Sequence, residues 1–150
     1  MIRENLEGLA AHLAAGNINE PALAKLEACL HGFEEPFSEK DTRRYAREDF
    51  KFHQTIVMLS GARRLIKLVS ALHDHIRMFR LTTVGLSGRM KASLAEHRHL
   101  LEALRKKEPE EAERRMREHI RHVRDGVMAN VNFFLIGAEK HPSQIKEEKE

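Results

Sequence analysis

The sequence predicts an all-α protein, an antiparallel bundle of about six helices. Three observations carry that prediction. Apolar residues recur at helical spacing, with little of the two-residue alternation that strands show. Gly and Pro fall at intervals that cut the chain into helix-length blocks. Polar groups that a Leu-lined stripe would exclude, a carboxylate and several imidazoles, sit at the centre of three of the apolar faces.

A chain of 150 residues fits one domain able to bury most of its apolar surface. Apolar residues at 41% and charged residues at 33% exclude a disordered or fibrous protein. The net charge of +3 is the margin of 26 basic over 23 acidic residues, which is not the basicity of a nucleic-acid binder. The single Cys29 cannot form an internal disulfide, and no apolar run of signal-peptide or membrane-spanning length occurs. A reducing, cytoplasmic location and no membrane partner are expected.

The first helix runs from Ile2 to about Ala15, with Ile2, Leu6, Leu9 and Leu13 on one face and Gly16-Asn17 as its stop. A second begins near Asn19, carries Pro21 in its first turn and reaches about Leu30, before a loop over Gly32 to Pro36. The third starts at Ser38 or Asp41, either of which can cap, and ends before Ser60-Gly61. A fourth follows at once from about Ala62 to Leu81, so it is an antiparallel neighbour. After Gly85 to Gly88 comes a fifth, Arg89 to Lys106. The sixth opens at Pro109, with Glu110, Glu111 and Glu113 at the positive end of its dipole, and extends to about Phe134. The folded domain is set at residues 1–137; residues 138–150, polar and aperiodic, are expected to be a disordered tail.

Ten histidines make metal or proton chemistry worth testing, and a carboxylate four residues before a histidine shares its helix face. Three such pairs occur, Glu27/His31, Asp49/His53 and Glu118/His122, where chance alone gives about 1.5. Spacing therefore decides nothing. Position on the helical wheel decides more: with Asp49 at about 0°, His53 falls near 40°, among Tyr45, Ala46, Phe52, Ile56 and Val57. His31 and Glu118 lie off the stripes of their helices. His97 is central among Met90, Leu94, Leu100, Leu101 and Leu104, and His119 lies near the axis of Ala112, Met116, Val123 and Val127. Both are eleven residues from Glu108 at the turn, about 16 Å along each helix, so they stand level across an antiparallel hairpin.

Each histidine alone is adequately explained as a buried ring bonded to a carbonyl or hydroxyl. A core carboxylate is harder to accommodate, because burying it unpaired costs several kcal/mol. Convergence of Asp49, His53, His97 and His119 on one divalent cation explains all four, at the centre of the bundle. Three imidazoles and a carboxylate suit Zn²⁺, and Ni²⁺, Mn²⁺ or Fe²⁺ with an expanded shell.

The segments "REDFKFHQTIVMLSG", "SLAEHRHLLEALRKKEPEEAERRMREHI" and "IRENLEGLAAHLAAG" resemble the FCD domain, the effector-binding domain of FadR-type GntR transcription regulators, in its metal-binding branch. The resemblance covers residues 2 to about 134. It implies the same four ligands, from D-x-x-x-H, E-H and M-R-x-H patterns. It departs where Ala62 follows Ser60-Gly61 in place of the usual Asn. It further implies a small carboxylate effector beside the metal, an arginine from an R-x-x-L-E pattern that Arg3 matches, and a homodimer. The wheel sets Arg3 at the edge of its stripe, a place equally suited to a solvated arginine. Asn130, inward on the sixth helix, is a further candidate for lining the effector cavity.

The expected function is a non-enzymatic sensor that binds a metal and a small organic acid and so modulates DNA binding. DNA would be contacted only through a winged-helix domain that these residues do not contain, whether this is an excised domain or a stand-alone sensor. The alternatives are a mononuclear metalloenzyme on a helical bundle and a purely structural metal domain.

Overall fold

The computed structural model describes residues 2–130, without the side chains of residues 74–82. Six helices follow in order: α1 (Ile2–Asn17), α2 (Glu20–Leu30), α3 (Glu39–Leu59), α4 (Arg63–Val84), α5 (Arg89–Arg105) and α6 (Pro109–Ala129). No strand occurs among the described residues. The expected domain end at residue 137, the tail over 138–150 and the extension of α6 to Phe134 lie outside them.

Local chemistry explains the boundaries. Asn19 Oδ1 accepts from the Ala22 amide at 3.0 Å and starts α2. At α3 the choice between two caps resolves into their cooperation. Ser38 Oγ accepts from the Asp41 amide at 3.1 Å, and Asp41 Oδ2 accepts from the Ser38 amide at 3.0 Å, which is a capping box. Replacing Ser38 with Ala should remove about 1 kcal/mol and lower the melting temperature by about 2–4 °C, readable by circular dichroism; an unchanged midpoint would deny the cap its role. Gly61, at φ 67, turns the chain sharply from α3 into α4 in a conformation that side chains disfavour.

The α5–α6 turn sets the register of the site. Glu108 N–H donates to Ala103 O at 3.0 Å and Lys107 N–H to Leu104 O at 3.0 Å, with Lys107 left-handed at φ 55. This is a Schellman closure, and Pro109 starts α6 directly after it.

Packing departs from the sequence reading at α1. Its buried face is Glu7, Gly8, Ala10, Ala11, Ala14 and Ala15, while Ile2 is 70% and Leu9 44% exposed. Small side chains let α1 run close along α6, where a Cβ on Gly8 would come within 2.8 Å of Arg117 Cγ. α1 also contacts α3, α4 and α5, so it is the central strut. Leu6 and Leu13 pack instead into a small cluster with Val57, Leu65 and Val69. Leu68 of α4 is likewise 57% exposed. The main core joins Leu26 of α2, Tyr45, Phe52 and Ile56 of α3, Leu100 and Leu104 of α5, and Met116 of α6.

Candidate metal centre

Four polar side chains lie inside this packing. Asp49 and His53 occupy one face of α3 a turn apart, His97 comes from α5 and His119 from α6. All are buried, at 5%, 0%, 0% and 2% exposure. The level placement of His97 and His119 across the hairpin appears as rings 4.4 Å apart, with His53 at 5.0 and 5.1 Å from them. One potential ligand atom from each of the four residues falls within 4.8 Å of all the others.

The imidazole edges facing away from this cluster are tied down. His53 Nδ1 donates to Glu7 Oε2 at 2.6 Å, and His119 Nδ1 to Glu96 Oε2 at 2.7 Å. His97 Nδ1 lies 3.0 Å from the Tyr45 hydroxyl, which itself donates to Ser93 Oγ at 2.9 Å and so offers His97 a lone pair. Phe52 stacks on His97 at 4.4 Å between centroids. A ring protonated at Nδ1 can offer its Nε2 lone pair to a cation.

The donor set fits a cation. His53 Nε2 and His97 Nε2 are 3.2 Å apart, and Asp49 Oδ1 is 3.8 and 3.7 Å from them. Metal–nitrogen bonds of about 2.0–2.1 Å in a tetrahedron require ligand separations of about 3.3 Å. Two imidazole lone pairs and a carboxylate so placed would repel one another, and a divalent ion held between them would reverse the sign.

Electrostatics keep His53 in its binding form. Burial pushes His53 down to about 4, against the opposing pull of Glu7 and Asp49, so its ring is neutral near pH 7. Burial would raise Glu7, but Arg3, His53 and His73 together hold it well below the carboxylate range. Burial opposes Glu96 too, and its bonds from His119 and Arg89 still bring it down to about 2. Burial and the charge of Asp49 push Tyr45 well above its ordinary value, which keeps the hydroxyl protonated.

A narrow cavity of about 40 Å³ adjoins the cluster. It is lined by Arg3, Asp49, Thr83, Val84, Arg89, Ser93, His119 and Val123. Arg3 is therefore at the cavity, held by Glu7 through its Nε at 2.6 Å. Asn130 is not among these residues: it is exposed, and its Nδ2 donates to Gly126 O at 2.8 Å. A wheel angle gives a face and not a depth, and the last turn of α6 lies past the core, with Met128 63% exposed.

Glu7, Glu96, Tyr45, Ser93, Arg89 and His73 form the surroundings that sequence reasoning did not assign. The alanine spacing of α1 carries a signal for Glu7, which shares a face with Ala11 and Ala14 once small residues are counted as inward. Glu96 gave less: it also takes His122 Nδ1 at 2.8 Å from an exposed position, and it is bound by both terminal nitrogens of Arg89. The rejected pairs stay at the surface, with His31 exposed and Glu118 bonded to Arg114.

No helix among the described residues is long and apolar enough to cross a membrane. Residues 1–122 match the family model described as the FCD domain. The uncharacterized HTH-type transcriptional regulator YdhC of Bacillus subtilis (strain 168) is similar, at 32% identity over 123 residues, which are 81% of this chain and 54% of that protein. The chain thus spans about half the length of this curated relative. With a match over most of its length and a six-helix bundle, the chain belongs to the FCD domain family.

Proposed function

We propose that this chain is the effector-sensing domain of a GntR/FadR-type transcription regulator. In this reading Asp49, His53, His97 and His119 hold a divalent cation, zinc first among the candidates with nickel, manganese or iron as others, and a small organic acid binds beside it. The observation that carries the proposal is the cavity: two of the four proposed ligands, Asp49 and His119, line the same narrow space as Arg3 and Arg89.

A bound cation would supply Lewis-acid attraction for a carboxylate oxygen at a position open toward that space. The chain's own residues do the rest. Arg3 offers a cationic edge from α1, and Arg89 has a buried Nε that makes no hydrogen bond. Arg89 takes the place in this proposal that sequence gave to Asn130. Val84 and Val123 bound the space and limit it to an acid of few heavy atoms.

An acid held between α1 and the centre contributed by α3, α5 and α6 would bias the position of α1. The name of the relative supports a link to DNA, which here would pass through a winged-helix domain elsewhere in the protein. Homodimerisation belongs to the same proposal and rests on the family. The other carboxylates bonded to the ligand imidazoles, Glu7 and Glu96, are both engaged by arginine, which favours a sensor over a metalloenzyme.

Calorimetry of the zinc-loaded chain against acetate, lactate, oxalate and citrate tests this. At least one of the smaller acids should bind with an affinity that disappears after chelator treatment. Acid binding undiminished by chelation, or none by the zinc-loaded chain, would count against the sensor reading.

A further inference from the structure

Glu7 is a carboxylate with no exposed surface, and its two oxygens face different parts of the molecule. Oε2 accepts from His53 Nδ1 at 2.6 Å. Oε1 accepts from Arg3 Nε at 2.6 Å and from His73 Nε2 at 3.1 Å. One group on α1 thus touches a proposed cation ligand on α3, a buried histidine on α4 and the arginine at the cavity.

We propose that Glu7 is a positioning residue that sets the cation affinity of the centre and couples it to Arg3. The proposal rests on the reading that Asp49, His53, His97 and His119 bind a divalent cation. His53 becomes a stronger Nδ1–H donor when its Nε2 lone pair is donated, so a carboxylate at Nδ1 raises its affinity as a ligand. Arg3 competes for the charge of that same carboxylate. An anion that draws Arg3 toward the cavity returns charge to Oε2 and His53, and the ring becomes a better ligand. By linkage, cation and anion then each favour the binding of the other. The short cavity, the arginine and the centre are joined through one side chain.

The chemistry of glutamine makes the test specific. A carboxylate serves both sides with acceptors, whereas an amide has a single acceptor oxygen, so Glu7→Gln can satisfy His53 or else Arg3 and His73. Zinc alone is the probe. Its affinity is measured by chelator competition for the unaltered chain, Glu7→Gln, Arg3→Ala and the double variant, with metal-free melting temperatures recorded separately. Glu7→Gln should bind zinc about 10–100-fold more weakly. Arg3→Ala, which removes the charged donor from Oε1 and leaves His73 there, should bind it several-fold more tightly, and that gain should vanish in the Glu7→Gln background.

A merely structural Glu7 would lower the melting temperature and leave zinc affinity unchanged, and that result overturns the proposal. So does an Arg3→Ala effect of equal size in both backgrounds. Where Glu7→Gln fails to fold, His73→Ala and Arg3→Ala replace it: both remove a competitor for Oε1 and should tighten zinc, and unaltered affinity in both overturns the coupling. Zinc binding by the unaltered chain is measured first, and its absence would remove the cation reading itself, a result distinct from these.

Discussion

Replacing Asp49 with Ala should lower zinc affinity about 100-fold while the helical fold persists. Structural zinc sites release about 10–16 kcal/mol over four ligands, so one ligand is worth about 3 kcal/mol, or about two orders of magnitude. Asp49 is the proposed anionic ligand, and it lies within 4.8 Å of the three imidazole ligand atoms. Its removal takes away the charge that offsets the cation. The fold has less to lose. Ala is the better helix former in the middle of α3, and the neighbouring core of Phe52, Ile56 and Tyr45 is untouched. Chelator competition checks the first half and a melt of the metal-free protein the second. Equal zinc affinity in the variant and the unaltered chain would return Asp49 to ordinary core chemistry.

The metal-free chain should lose about 2 kcal/mol of stability between pH 7.5 and pH 5, with His53 as the main source. Its folded value is about 4, against 6.5 for the unfolded ring. The unfolded chain therefore takes up a proton below 6.5 while the folded chain resists until about 4. Stability is complete above pH 6.5 and falls as the pH drops through that window. Glu7 and Glu96, both held below their ordinary 4.5, act with the same sign at lower pH: their contribution is present above 4.5 and is lost as the pH falls through their folded values. Urea melts of chelator-treated protein at pH 7.5, 6 and 5 measure this. A constant midpoint across that range would contradict a neutral, buried His53. Zinc should oppose the loss by binding only the folded form, although its own affinity falls as protons compete for the imidazoles.

Much of the architecture was legible because its signals are local. Ser38, Asn19, Pro109 and the Gly breaks each act within a few residues, and the helices begin and end near them. The wheel also placed Asp49, His53, His97 and His119 inward, and counting from Glu108 levelled the last two; all four are buried in one cluster. What failed was depth and size. The first helix was oriented by its large residues, yet α1 is buried through Gly8 and its alanines, since close approach to α6 requires small side chains. The same error hid Glu7, the residue that joins three helices. Tyr45 was placed on the stripe of α3 but not at His97, because a bond across 52 positions has no signature in either helix alone. Asn130 lay on the right face and beyond the packed end.

The partners of the imidazoles also favour the proposed cation site. Here Nδ1 of His53, His97 and His119 meets Glu7, Tyr45 and Glu96, and the Nε2 atoms of His53 and His97 face each other at 3.2 Å. That division of labour is the arrangement expected of ligand imidazoles held from behind.

X-ray absorption on the zinc-loaded chain tests this account most directly. It should show zinc bound by three imidazoles and oxygen at about 2.0–2.2 Å and no sulfur. Zinc held by the thiolate of Cys29, by a single imidazole, or not held at all would contradict the four-ligand centre.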